Sequence, residues 1–368
     1  MPATLSETDE DSGFLEPLED ELEDMRRAVR IESKLYSYPA DFPLQVLHEK
    51  IDSGEIDFPP FQRKYVWTKE KASMLIDSFM RRLPVPPVYL FTTSKGTLLV
   101  VDGQQRLRTI KRFFEDRWED GEEFELVLAD DNPLNNKRFQ DLDEADQKKL
   151  KNAVMRSMVI EPKSGRYDNA MYDIFERLNT GGMLLMPQEI RNCVYHGALN
   201  DSIIRLNRLA DWRTIVGTAE EDKRLRDVEL ILRGVALSNL GKDIGPEPPL
   251  RYKPSMKQFL NDFMKTMQDP SKEWVGDMES TFTTTARLIV KTLGETPFHV
   301  TRAMRAPTYD AVFVAFAKHP ESIPPDIKER YELLKADADF KKYTEERPTG
   351  AKSVNGRLDL AEKVLFGG

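Results

Sequence analysis

Apolar residues recur at helical spacing along most of the chain, and at strand spacing only in its first half. Leu22, Met25 and Val29 predict a leading helix from Glu21 to about Tyr36, punctuated by Pro39 and Pro43. Leu44, Leu47 and Ile51 predict a second helix that stops at Gly54, and Ile56–Phe58 a short strand. Thr68 reads as the N-cap of a helix through Arg82 whose inward face is Ala72, Leu75, Ile76 and Phe79. Val88–Phe91 and Thr97–Val101 then predict a β-hairpin, and Gln104 to about Arg117 a helix with Leu107, Ile110, Phe113 and Phe114 inward. Phe124–Leu128 and Met158–Ile160 read as strands, Ala145–Arg156 and Tyr167–Leu178 as helices. Pro187 suits the first turn of a helix running through Arg191 towards His196.

Beyond about residue 198 the strand signal fades. Ile203–Leu209, Val228–Leu240, Met256–Met267, Phe282–Leu293, Tyr309–Ala317 and Ile327–Lys335 all read as helices. The pattern divides the 368 residues into an acidic leader without periodicity (1–20, expected to be disordered), an α/β domain (21–197) and an all-helical domain (198–368).

Charge changes that picture in one respect. The net charge is −9, from 63 acidic and 54 basic residues. Ten of the acids and none of the bases lie in residues 1–24, so the remainder carries one positive charge in excess. The acidity belongs to the leader and does not exclude a polyanionic partner for the body. Cys193 is the sole cysteine, which excludes intramolecular disulfides and cysteine-cluster zinc sites and fits a cytoplasmic protein. His48, His196, His299 and His319 show no metal-ligand spacing. No run reaches the ~20 apolar residues that span a bilayer.

Three polar loops carry candidate chemistry. In Val100-Val101-Asp102-Gly103-Gln104-Gln105-Arg106, a hydrophobic strand runs through Asp-Gly directly into a helix. Such a junction aims backbone N–H groups and the positive helix end outward, which suits a phosphate. Gln104 and Gln105 offer neutral donors, Arg106 a planar fork, and Asp102 a ligand for Mg²⁺ or a partner for a water. The same residues also read as a plain tight turn. Pro59 to Trp67 interleaves Phe61, Gln62, Arg63, Tyr65 and Trp67, which suits base stacking with phosphate contacts or a loop anchored by its aromatic rings. Asn179-Thr180-Gly181-Gly182, with Arg191 further on, reads as a helix C-cap or as a backbone cradle for an anion.

Together and in this order, Phe61-Gln62-Arg63 with Tyr65 and Trp67, Asp102-Gly103-Gln104-Gln105-Arg106, and Arg177-Leu178-Asn179-Thr180-Gly181-Gly182 with Glu189 and Arg191 resemble the N-terminal domain of GmrSD-type restriction endonucleases over residues 40–200. The resemblance implies an α+β protein: a ParB/sulfiredoxin-like α/β domain followed by an all-helical one. It implies a nucleotide-binding, often nucleotide-hydrolysing pocket used in bacterial defence against phage or modified foreign DNA. By that resemblance Asp102, Gly103, Gln104, Gln105 and Arg106 form the pocket core, Gln62 and Arg63 approach it, and Asn179, Gly181 and Gly182 close it. The expected ligands are a nucleoside triphosphate and Mg²⁺, with Asp102, Gln105 and Arg106 as the reacting groups and Arg191 as a further anion contact. The expected partners are DNA, a nuclease or modification-system protein, and a second copy of the chain. Larger members carry a histidine–metal nuclease domain, which the four scattered histidines do not announce here. Alternative readings are a non-enzymatic DNA-binding or adaptor module of the same fold, and a nuclease or nickase subunit.

Overall fold

The computed structural model describes residues 35–58, 65–93, 96–118, 121–162, 186–195, 197–244, 249–252, 255–300 and 303–367. They fall into two compact units, one within Arg30–Leu185 and the other from Met186 onward.

The first unit is built on a mixed five-stranded sheet. Its strands are β1 (Leu35–Pro39), β3 (Ile56–Asp57), β4 (Val88–Thr92), β5 (Leu98–Asp102) and β7 (Ser157–Pro162), in the order β1-β7-β4-β5-β3. β4 pairs antiparallel with β5 and parallel with β7, while the edge strands β1 and β3 run antiparallel to β7 and parallel to β5. A two-residue ladder joins β2 (Phe42–Pro43) to β6 (Val154–Met155). Helices α1 (Leu44–Asp52), α2 (Lys69–Met80) and α3 (Gln104–Phe114) each bury one apolar stripe, and α4 (Glu144–Asn152) buries Leu150. Leu44, Leu47 and Ile51 of α1, Leu75, Ile76 and Phe79 of α2, and Leu107, Ile110 and Phe113 of α3 form a single core with Val88, Leu90, Val100 and Val159 of the sheet. Thr68 caps α2 as expected, its hydroxyl accepting from Lys71 N.

Several sequence expectations fail here for identifiable reasons. The end of the expected leading helix is strand β1; the remainder lies outside the described residues. Phe124–Leu128 is not a strand, although Phe124 and Leu126 are fully buried. Its backbone amides bond to Asp116 O, Lys137 O, the Ser73 hydroxyl and the Asn135 side chain instead of to a neighbouring strand. The helix expected over Ala145–Arg156 ends at Asn152, and Val154–Met155 turns into β6. The helix expected over Tyr167–Leu178 lies outside the described residues.

The second unit is mostly helical: α5 (Pro187–Val194), α6 (Ala198–Leu206), α7 (Ala210–Val216), α8 (Arg226–Ser238), α9 (Met256–Thr266), α10 (Lys272–Leu293), α11 (Ala306–Lys318), α12 (Ile327–Ala336), α13 (Ala338–Glu345) and α14 (Ala351–Phe366). It is not wholly helical, because β8 (His299–Val300) and β9 (Ala303–Met304) form a minimal hairpin. α5 packs on α8 and α9 and clusters with the second unit. α8 is enclosed on every side from Arg226 to Leu237 yet carries four charged residues. Each is paired: Arg226 with Asp222, Asp227 with Arg213, Glu229 with Arg191 and Arg233 with Asp310, at 2.6–3.0 Å. A buried charge is tolerated only when paired and hydrogen-bonded, so these pairs fix where α8 can sit.

Candidate functional site

The junction between β5 and α3 is shaped by its neighbours as much as by its own residues. The register between β4 and β5 shifts between Tyr89 and Leu90, so Tyr89 faces Asp102 while Leu90 faces Val100. Such an irregularity bends a strand end and re-aims its last side chain. Gly103 then adopts φ +96° and ψ +12°, left-handed backbone that favours glycine. A Cβ on Gly103 would lie 2.4 Å from Val88 Cγ1 and 3.1 Å from Arg106 Nη2, so position 103 is restricted by packing as well as by conformation.

α3 begins at once, with no side-chain cap and no acidic residue in its first turn. The N–H groups of Gln105 and Arg106 are among the donors that a helix start leaves without intrahelical partners. Arg106 reaches back across this turn. Its Nη2 donates to Asp102 Oδ2 at 2.7 Å and to Pro87 O at 3.3 Å, while its Nε is buried without a partner among the described residues. The Asp102 side chain remains 41% exposed, that of Arg106 15%. The arrangement is a carboxylate-held guanidinium beside an uncapped helix start, which is suited to an anion.

Gln105 does something the sequence did not disclose. Its Oε1 accepts from Val66 N at 3.0 Å, tying the chain beyond residue 64 to α3. One turn on, the Thr109 hydroxyl donates to Gln105 O at 2.7 Å and accepts from the Tyr65 hydroxyl at 2.6 Å. The Arg108 guanidinium stacks 4.7 Å from the Phe58 ring, and that of Arg112 lies 4.0 Å from the Tyr65 ring. Burial and the nearby Arg112 charge hold Arg108 below the usual arginine range. Gln105, Arg108, Thr109 and Arg112 share one face at i, i+3, i+4 and i+7, a spacing visible in the sequence. That face grips both residues that border 59–64, Phe58 and Tyr65. Tyr65 is buried, and Trp67 packs on the core with Lys71 Nζ 5.0 Å from its ring, so both aromatic side chains serve as anchors in this structure.

The other expected site residues fare differently. Gln62, Arg63, Asn179, Gly181 and Gly182 lie outside the described residues. Arg191 lies on α5 in the second unit and is 1% exposed. It donates to Glu229 at 2.9 Å, Asn261 at 2.8 Å and Gln188 at 3.2 Å, which makes it an internal brace between helices and corrects its expected place as an anion contact. Arg226 and Arg357 are likewise buried in ion pairs. Among the described residues no group of three or more His, Cys, Asp or Glu could hold a metal ion, and no helix is long and apolar enough to cross a membrane.

Residues 44–196, from α1 to just past the end of α5, match the family of the GmrSD restriction endonuclease, N-terminal domain. No curated protein matches the chain. The β5–α3 junction lies inside the matched stretch.

Proposed function

With residues 44–196 forming a GmrSD-type N-terminal domain, we propose that the β5–α3 junction binds the phosphates of a nucleoside triphosphate, and that nucleotide occupancy or hydrolysis controls engagement of DNA or a partner nuclease. One observation carries the reading: an uncapped helix start that follows directly on the left-handed Gly103, with Arg106 held beside it by Asp102. The backbone N–H groups of α3 donate to phosphate oxygens, and Arg106 supplies the positive charge. Asp102 fixes the guanidinium through Oδ2 and keeps its other oxygen for a water or a cation. Gln105, committed to Val66 N, ties that residue to α3.

A single carboxylate fits Mg²⁺ only as a cation brought in by the phosphates, the usual manner for this ion. When bound, it would neutralise phosphate charge. Phosphoryl transfer asks the protein mainly for positioning and charge stabilisation, which a small polar turn can provide.

The test is equilibrium binding of each of the four common nucleoside triphosphates with Mg²⁺ to the full chain, together with phosphate release. Hydrogen bonds to charged groups contribute about 1.5–3 kcal/mol, so Arg106→Ala should weaken nucleotide binding by about 10- to 100-fold. Asp102→Ala should weaken it less and lower turnover. Unchanged binding and turnover in both variants would refute the assignment.

A further inference from the structure

Away from the β5–α3 junction, the first unit carries a cavity of about 840 Å³ between the end of α2, the face of α4 and the β6–β7 link. Four cations converge on it from three separate segments: Arg82, Lys148, Lys149 and Arg156. Each is exposed, and none of their side chains has a hydrogen bond or ion pair among the described residues. Asp41 is the one acidic residue in the lining. Leu83 and Val154, both 50% exposed, add apolar surface between the cations. Several other basic side chains of this unit find carboxylates: Lys50 with Glu55, Lys69 with Glu122, Lys111 with Asp52 and Glu115, Arg138 with Asp141.

The backbone at Arg82 adds an independent observation. α2 ends in a Schellman turn, with Arg82 N bonded to Phe79 O at 3.1 Å and Leu83 N to Ser78 O at 2.8 Å. Its left-handed position, φ +58°, is one that glycine fills without strain. Here an arginine occupies it, against its own backbone preference, and the side chain lines the cavity rather than meeting a carboxylate. A strained residue retained at a surface turn directs attention to what its side chain does.

We propose that this groove docks the phosphodiester backbone of a nucleic acid, independently of the nucleotide site. Four cations without a partner among the described residues, against one carboxylate, match a run of phosphates, and the cavity is too large for a single one. The apolar side chains of Leu83 and Val154 suit contact with sugar faces. Lysine and arginine contacts of this kind supply sequence-independent affinity and release counterions, which makes binding salt-dependent.

The experiment is fluorescence anisotropy of a labelled DNA duplex with the full chain, without nucleotide, across a KCl series. For duplex DNA the slope of log affinity against log salt falls by about 0.9 for each phosphate that is no longer neutralised. Lys148→Glu with Lys149→Glu, and Arg156→Glu, are each expected to lower affinity and flatten this slope. Arg82→Gly is the sharper probe, because it should leave Tm unchanged or raised while lowering affinity and slope. An unchanged slope in a folded Arg82→Gly and in the lysine pair overturns the proposal. So does a result in which the variants stop binding a peptide of residues 1–24 but keep their DNA slope, since the groove would then hold the acidic leader. Failure of nucleotide binding at Arg106 leaves these readouts untouched, so the two proposals stand or fall separately.

Discussion

Gly103→Ala is expected to destabilise the first unit by roughly 2–5 kcal/mol, combining about 1–2 kcal/mol for a left-handed non-glycine residue with about 1–3 kcal/mol for overpacking. The second contribution has a specific source. The new Cβ would meet Val88 Cγ1 at 2.4 Å and Val88 Cβ at 2.9 Å. Val88 cannot withdraw, since it is fully buried and its amide donates to Arg156 O at 2.9 Å. Val88→Ala should therefore rescue part of the stability. The double variant is expected to be more stable than the sum of the single changes by about 0.5–3 kcal/mol, the usual coupling of residues in contact. The backbone part should persist, because shortening Val88 does not alter φ at 103. Hydrogen exchange in peptides covering β5 and α3 of the full chain reads the effect where it arises. Strict additivity would show that the Val88 side chain is not what excludes a Cβ at 103. Whatever fraction of Gly103→Ala folds should also bind nucleotide poorly, since the Cβ falls 3.1 Å from Arg106 Nη2 and displaces the guanidinium from Asp102.

This double restriction explains which parts of the site were legible beforehand. Asp-Gly after a hydrophobic run announced the strand–turn–helix junction, because only glycine accepts that backbone freely and periodicity changes on either side of it. The pairing of Asp102 with Arg106 follows from i, i+4 spacing on a helix start. What did not show was that Gln105 is occupied by a backbone amide 39 residues away, or that Thr109 and Arg112 hold Tyr65. Those are tertiary pairings between segments with no local signature. The same limit misplaced Phe124–Leu128, where alternation correctly reported burial but the backbone finds its partners in a turn and in side chains. Arg191 is the opposite case. In the sequence it stands near a glycine pair and looks available to an anion, whereas three long-range bonds, to Glu229, Asn261 and Lys257, enclose it. Whether a polar residue is spent on the fold or left for a ligand depends on which distant groups reach it.

In the second unit that question is sharpest at Asp310, where removal is expected to cost about 3–5 kcal/mol and to lower the Tm of that unit by roughly 6–20 °C. Asp310 is fully buried on α11 and serves two arginines at once. Arg233 approaches through Nε at 3.1 Å and Nη2 at 2.6 Å, and Arg357 through Nη2 at 2.8 Å. These bonds tie α8, α11 and α14 together at one carboxylate. In Asp310→Ala, two enclosed guanidiniums would face each other without a counter-charge. Arg357 already has a buried Nε with no partner among the described residues, and burial pushes its pKa down against the opposing pull of Asp310. Replacing all three by apolar residues of similar volume, Arg233→Met, Asp310→Leu and Arg357→Met, should be close to neutral or stabilising, because desolvation of the ions offsets much of their attraction. Calorimetry of the full chain separates the cases. A triple variant as unstable as Asp310→Ala would mean that the network adds net stability beyond compensating its own charges. A near-native triple variant would assign these charges to specifying which helices meet, leaving the stability of the unit to its apolar packing.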